Sequence, residues 1–261
     1  MAAPQPRTPP NPTAVAVIPA RYASQRLPGK PLLDRTGKTL IQHVCEAAAR
    51  CPDLAQVVVA TDDPRIQDAV EAFQGRAVMT APDHPNGTSR IAEAADALAL
   101  PDDTLVVNVQ GDEPEIDPAL LSRLLQALRD DPGAPVATVA SPLAPHDDPA
   151  DPNLVKALRG RNGRALYFSR SPVPHIRDPG DNAPTPTLKH VGVYAYRRPF
   201  LPAYVELAPT PLEQAEKLEQ LRVLEHGHAI AVAIHPAGHQ GIDTPEQYDA
   251  FVARHRAANP A

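Results

Sequence analysis

A chain of 261 residues, 43% of them hydrophobic, can bury the core of one large α/β domain or of two small ones. Its formal net charge of −6, with the basic residues gathered in one loop rather than spread along a stripe, argues against nonspecific nucleic-acid binding. No run approaches the ~18 apolar residues of a membrane helix and no signal-peptide core follows the start, so a cytoplasmic protein that does not meet the membrane is expected.

The first twelve residues hold five prolines and no apolar period, which predicts a flexible tail, with residues 13–261 forming a single domain. Residues 15–18 are a short apolar run stopping at Pro19, the pattern of a buried strand. There follow a helix over 39–50, a strand over 56–61, a helix over 64–73, a short strand near Val78 and a helix over 88–98. A strand over 104–110, a helix over 118–128 and a strand over 136–141 continue the alternation. This βαβα rhythm predicts an α/β fold with a mainly parallel twisted sheet and helices on both faces. From residue 154 to 197 the strand-like runs 165–168 and 190–196 are joined by Pro-rich loops, which predicts a smaller inserted subdomain. A helix over 213–225, a strand over 230–234 and a helix after Thr244 return to the α/β pattern. Most of the 33 prolines fall at turn positions, as in Ala134-Pro135 and Ser141-Pro142. Two cysteines, Cys45 and Cys51, make no zinc site without a second pair and are expected to be reduced.

The loop after the first strand carries the strongest chemical signal. Between residues 21 and 38 stand Arg21, Arg26, Lys30, Arg35 and Lys38 against one anion, Asp34. A concentrated positive loop leaving a strand end is where an open α/β sheet binds its ligand, and phosphate is the natural guest. A solvated, proline-stiffened loop is the competing reading, and Pro28-Gly29, which allows a tight turn between Arg26 and Lys30, favours the first. Neither a Walker A string nor G-x-G-x-x-G is present, so a standard NTPase or dinucleotide enzyme is not indicated.

The strand over 104–110 delivers Asp112, after Gly111, to the same sheet edge. A carboxylate beside bound triphosphate is repelled unless a divalent cation stands between them, which makes Asp112 a candidate Mg²⁺ ligand; capping a turn is its other reading. Asp243 precedes a helix start, with Thr244 as N-cap and Pro245 at the first helical position, and reads by itself as a helix-dipole partner. Period two places His190, Gly192, Tyr194 and Tyr196 on one strand face and Val191, Val193 and Ala195 on the other. The polar face fits a polyhydroxylated ligand as well as it fits solvent. Arg170 could clamp a sugar carboxylate bidentately.

The string P-A-R-Y-A-S-Q-R-L-P-G-K-P-L over residues 19–32 resembles the signature of the 3-deoxy-manno-octulosonate cytidylyltransferases, the CMP-Kdo synthetase family. The likeness continues, in the family's order, in T-D-D (61–63), H-P-N-G-T-S-R (84–90), V-N-V-Q-G-D-E-P (107–114) and L-Y-F-S-R (166–170). It runs on through L-K-H-V-G-V-Y-A-Y-R (188–197), L-E-Q-L-R-V-L (218–224) and G-I-D-T-P-E (241–246). The resemblance implies a nucleotide-diphospho-sugar transferase-like fold and Mg²⁺-dependent transfer of CMP from CTP to 3-deoxy-D-manno-octulosonate (Kdo), for lipopolysaccharide assembly. Residues 13–150 would mainly bind CTP, 151–230 would carry the acceptor sugar and the dimer contact, and 231–261 would return to the core.

By the same resemblance Arg21, Arg26 and Lys30 are catalytic, and Pro19, Ala20, Arg21, Gly29, Lys30, Thr88, Arg90, Gln110 and Asp112 bind CTP. Gln110, Arg170, His190, Tyr194, Glu219 and Gln220 bind the acceptor, Asp112 and Asp243 hold the metal, and the chain is a homodimer. Ser89 stands where the family usually has an acidic residue, and Pro85-Asn86 replaces a more usual pair. The alternatives are an 8-amino analogue of Kdo or a sialic acid as acceptor, or a catalytically silent nucleotide-binding regulator.

Overall fold

The computed structural model describes residues 13–23, 27–177, 187–236 and 241–259. The apolar run that begins at Ala14 folds as β1 (Ala14–Ala20), and its alternation divides the core between two layers. Ala14, Ala16, Ile18 and Ala20 face one layer, Val15 and Val17 the other. Such a strand, buried on both faces, belongs in the middle of a sheet. There β1 pairs in parallel with β2 (Gln56–Thr61) on one side and with β4 (Leu105–Asn108) on the other, and β3 (Arg76–Met79) adds in parallel beyond β2.

Beyond β4 the sheet becomes mixed. The long strand β8 (Thr187–Arg197) runs antiparallel to both β4 and β5 (Val136–Pro142), and β9 (Ile230–Ile234) closes the far edge in parallel with β5. The resulting order is β3-β2-β1-β4-β8-β5-β9, with β6 (Lys156–Arg159) and β7 (Ala165–Ser169) as a hairpin attached through β8. The stretch expected to leave as an inserted subdomain thus does so only in part. The β6–β7 hairpin stands off the main path, whereas β8 threads back through the middle because Val191, Val193 and Ala195 supply an apolar face that the core can bury.

Helices cover both faces as the βαβα rhythm implied. On one lie α1 (Leu40–Ala49), α2 (Pro64–Ala72) and α4 (Pro118–Asp130), sharing a cluster with Ile18, Val107 and Val193. On the other lie α3 (Gly87–Ala97), α5 (Phe200–Glu206) and α7 (Gln220–Glu225), around Val17, Val106 and Phe168. The single helix expected over 213–225 is two, α6 (Pro211–Glu216) and α7, broken at Lys217 with φ 55° and ψ 47°. A lysine in the left-handed region carries none of the sequence signature that glycine would. Both cysteines are free and buried, and burial pushes the Cys45 thiol up to about 12. No helix among the described residues is long and apolar enough to cross a membrane.

The last helix, α8 (Pro245–Ala258), starts where the sequence indicated. Thr244 Oγ1 accepts from Gln247 N at 3.3 Å while the Gln247 side chain accepts from Thr244 N at 3.0 Å, a reciprocal capping box. Tyr248, Phe251 and Val252 then bury against Leu40 and Ile242, so that Asp243 is fixed between a buried isoleucine and a capped helix. Thr244→Ala should lower stability by about 1 kcal/mol, the usual worth of such a cap, read as a fall in the urea midpoint at unchanged slope.

Candidate active site

Because β1 and β4 are neighbours running the same way, the loops after both leave one edge of the sheet. They approach closely: a Cβ on Gly111 would lie 3.0 Å from the Pro19 carbonyl oxygen, so no other residue fits without moving the backbone. Gly29, at φ 67°, supplies the turn that starts a single 3₁₀ turn at Lys30. Between the loops opens a cavity of about 260 Å³ lined by Pro19, Ala20, Arg21, Lys30, Gln110 and Asp112, among others.

Lys30 Nζ donates to Asp112 Oδ2 at 2.8 Å, to Asp243 Oδ1 at 3.2 Å and to the Ile242 carbonyl at 2.9 Å. Ile242 N donates in turn to the Asp112 carbonyl at 2.8 Å, tying the segment before α8 to the loop after β4. The sequence-predicted metal pair, 131 residues apart, is therefore gathered around one ammonium group.

The other loop cations separate. Arg21 lines the cavity and donates to the His84 carbonyl. Arg35 pairs with Asp249 on α8 and Lys38 with Glu46 on α1, so neither strengthens the positive loop as its sequence density suggested. Arg26 lies outside the described residues. Arg90 is fully buried, 3.4 Å from Asp62 and donating to Thr80, and lines neither this cavity nor its neighbour. At the departure from the family pattern, Ser89 Oγ donates to the Asn86 carbonyl at 3.0 Å and lies 3.2 Å from His84 Nδ1; Glu93 meets the other ring nitrogen.

A second cavity of about 360 Å³ adjoins the first, and Gly87 and Gln110 line both. Its walls carry Thr88, His190, Tyr194, Glu219 and Gln220, so the strand face singled out by period two does open on a pocket. A bulge takes Gly192 and Val193 out of register with β5, and because it absorbs two residues the alternation survives. Burial pushes the His190 imidazole down to about 4. Thr138 Oγ1 donates to the Val193 carbonyl at 2.9 Å, so its single proton is used and His190 Nε2, 2.9 Å from Thr138 Oγ1, is the donor of that pair, which leaves Nδ1 as an acceptor. Burial also raises the Tyr194 phenol and the Glu219 carboxyl, the latter accepting from Tyr204 Oη at 3.4 Å.

Arg170 is not in this wall. Its guanidinium donates to the Glu216 carbonyl at 2.7 Å, the Pro152 carbonyl at 2.8 Å and the Lys217 carbonyl at 3.4 Å, capping the end of α6 and holding the left-handed turn. Sequence reasoning missed Asn108, Tyr204 and Lys217 as lining residues. Asn108 was detectable as the one polar residue of an apolar strand; Tyr204 lies on α5, which the sequence reading did not place, and Lys217 depends on the unforeseen break between α6 and α7.

A pocket lined by Arg21, Lys30 and Asp112 shares a wall with one lined mainly by hydroxyl, amide and imidazole groups together with Lys217 and Glu219. The family model for cytidylyltransferases matches residues 15–230. The 3-deoxy-manno-octulosonate cytidylyltransferase of Syntrophobacter fumaroxidans is 50% identical over 238 residues, covering 91% of this chain and 95% of its own. That of Halorhodospira halophila is 47% identical over 253 residues, covering 94% and 97%. A solved structure of CMP:2-keto-3-deoxy-manno-octonic acid synthetase complexed with CTP superimposes with a TM-score of 0.87 at 46% identity, covering 94% of this chain and 99% of that one. The chain belongs to the 3-deoxy-manno-octulosonate cytidylyltransferase family of nucleotidyltransferases.

Proposed function

We propose that the chain transfers CMP from CTP to Kdo with release of pyrophosphate, in the service of lipopolysaccharide assembly. The observation that carries this reading is the wall of Gly87 and Gln110 common to the two cavities, which lets a nucleotide in the charged pocket present its α-phosphorus to a hydroxyl in the larger one. The anomeric C2 hydroxyl attacks that phosphorus, an O–P bond forming as the bond to the pyrophosphate oxygen breaks. Arg21 and Lys30 offset the charge that develops on the phosphoryl oxygens and the leaving group, and the resemblance assigns the same task to Arg26.

Asp112 and Asp243 suit Mg²⁺. Their carboxylates already converge on one cation, the Lys30 ammonium, and carboxylate oxygens are the hard donors that Mg²⁺ takes together with phosphate oxygens and water. When bound, the ion would neutralise phosphate charge and lower the pKa of a nearby hydroxyl. Asp112 and Asp243 would hold it, while Lys30 exchanges a carboxylate for a phosphate.

In the acceptor pocket His190 Nδ1 accepts a sugar hydroxyl, with Tyr194, Glu219 and Gln220 closing around the ring. Arg170 acts as a positioning residue, fixing the turn that presents Glu219. The functional unit is a homodimer, for which the exposed Leu166 of β7, 64% accessible, and Ile176 are apolar surface to be covered.

Pyrophosphate release with CTP across a panel of 2-keto sugar acids tests the reading; preference for a sialic acid or the 8-amino analogue over Kdo would overturn it. EDTA should abolish turnover, and Asp112→Asn or Asp243→Asn should each cost about 10²-fold or more. Arg21→Ala should lose rate with little loss of stability. Lys30→Met should lose both, because it leaves two carboxylates facing one another without their shared cation. Comparing kcat/KM with thermal midpoints separates the two variants.

His190 sets a pH dependence of stability. Its folded-state value of about 4 lies below the unfolded value near 6.5, so the unfolded chain binds the proton first. Stability is then full above pH 6.5 and falls toward pH 4, by at most about 1.4 kcal/mol per pH unit from this group. Urea midpoints between pH 7 and 4.5 should fall less steeply for His190→Gln than for the parent chain.

A further inference from the structure

Strand β4 carries one polar residue. Leu105, Val106 and Val107 are buried in it, and Asn108, 3% exposed, follows on the layer that Val106 occupies. Across the antiparallel ladder Val106 faces Tyr196 and Asn108 faces Tyr194. Asn108 lines the larger of the two site cavities, and its Oδ1 has no hydrogen-bond partner among the described residues. A buried carboxamide oxygen left unpaired costs stability, and another valine would spare the strand that cost. A hydroxyl group entering the cavity, from water or from a ligand, would satisfy such an oxygen.

The rest of the wall narrows what enters. Lys217 and Glu219 bring one basic and one acidic side chain to it, His190 is neutral, the tyrosines and Gln110 are uncharged, and Gln220 Nε2 is a second buried polar atom without a partner among the described residues. One unpaired acceptor and one unpaired donor on residues that line a single cavity are the complement of hydroxyl groups, which can both give and accept a hydrogen bond.

We infer that Asn108 is a specificity-determining residue of the acceptor site, its Oδ1 accepting a hydrogen bond from one hydroxyl of the bound sugar acid. The inference rests on the assignment of this cavity to the acceptor. Asn108 then selects by exclusion as well as attraction: an analogue lacking that hydroxyl leaves the oxygen buried and unpaired.

Turnover of Kdo by the parent enzyme is measured first and tests the underlying assignment; the variants test Asn108. Asn108→Leu, close in shape, should keep or raise the thermal midpoint, raise the KM for Kdo at least about tenfold, and leave the KM for CTP unchanged. Among Kdo analogues each lacking one hydroxyl, one should be strongly disfavoured by the parent enzyme yet suffer no extra penalty in Asn108→Leu. A KM for Kdo that hardly moves, a rise in the KM for CTP instead, or equal penalties for every analogue in both proteins would overturn the inference. If Asn108→Leu does not fold, Asn108→Asp decides, since it keeps the accepting oxygen and must still disfavour the same analogue.

Discussion

The site follows from the adjacency of β1 and β4. With the order β3-β2-β1-β4, the strand order reverses at β1, and neighbouring loops at the same edge diverge to leave a crevice at the carboxyl ends of the strands. Both strands are apolar on both faces, so burial fixes their depth and alternation, and register then determines where each loop emerges. Gly111 against the Pro19 carbonyl is the tightest expression of this constraint. A one-residue slip between β1 and β4 would turn Asn108 into the α1/α4 layer and separate Asp112 from Lys30.

On that frame the Lys30 ammonium joins three segments remote in sequence: the loop after β1, the loop after β4 and the approach to α8. Two carboxylates near one point repel, and a third partner of opposite charge is what allows them to be held there before ligand arrives. The free chain thus keeps in place a pair of acidic groups, an arrangement that suits the metal-binding role proposed for them. The capping box of Thr244 and the burial of Tyr248 and Phe251 hold the far side of this arrangement, so that Asp243 owes its place to packing rather than to the charges alone.

Much of this was legible in the sequence where local chemistry decides the outcome. The β1 run, the α8 cap, the division of β8 into two faces and the strand-end position of Asp112 each follow from period, capping or turn residues within a few positions. The positive loop was only half legible. Charge density cannot reveal that Arg35 and Lys38 are drawn to Asp249 and Glu46, which lie 214 and 8 residues away in the chain. The break at Lys217 was not legible, because no glycine marks it and the Arg170 guanidinium that takes its main-chain carbonyls is remote in sequence. Arg170 itself shows the limit of reading a motif by residue type. An arginine suited to a carboxylate is equally suited to a helix end, and only the fold shows which partner it meets.

The two cavities are built differently, and this difference bears on how the enzyme can vary. The charged pocket is made of strand-end loops whose positions depend on one another through Lys30, so a change at any of its members disturbs the rest. The larger pocket is made of one face of β8, whose rings pack in the series His190, Tyr194, Tyr196 and Tyr204, and of a turn between two short helices that brings Lys217 and Glu219. The two cavities share only Gly87 and Gln110. On the proposed assignment of the pockets, substitutions on the β8 face or in α7 reshape the acceptor pocket through residues that the charged pocket does not share, whereas a change at Lys30 disturbs three segments at once. A fold arranged in this way can change its sugar acid more easily than its nucleotide chemistry.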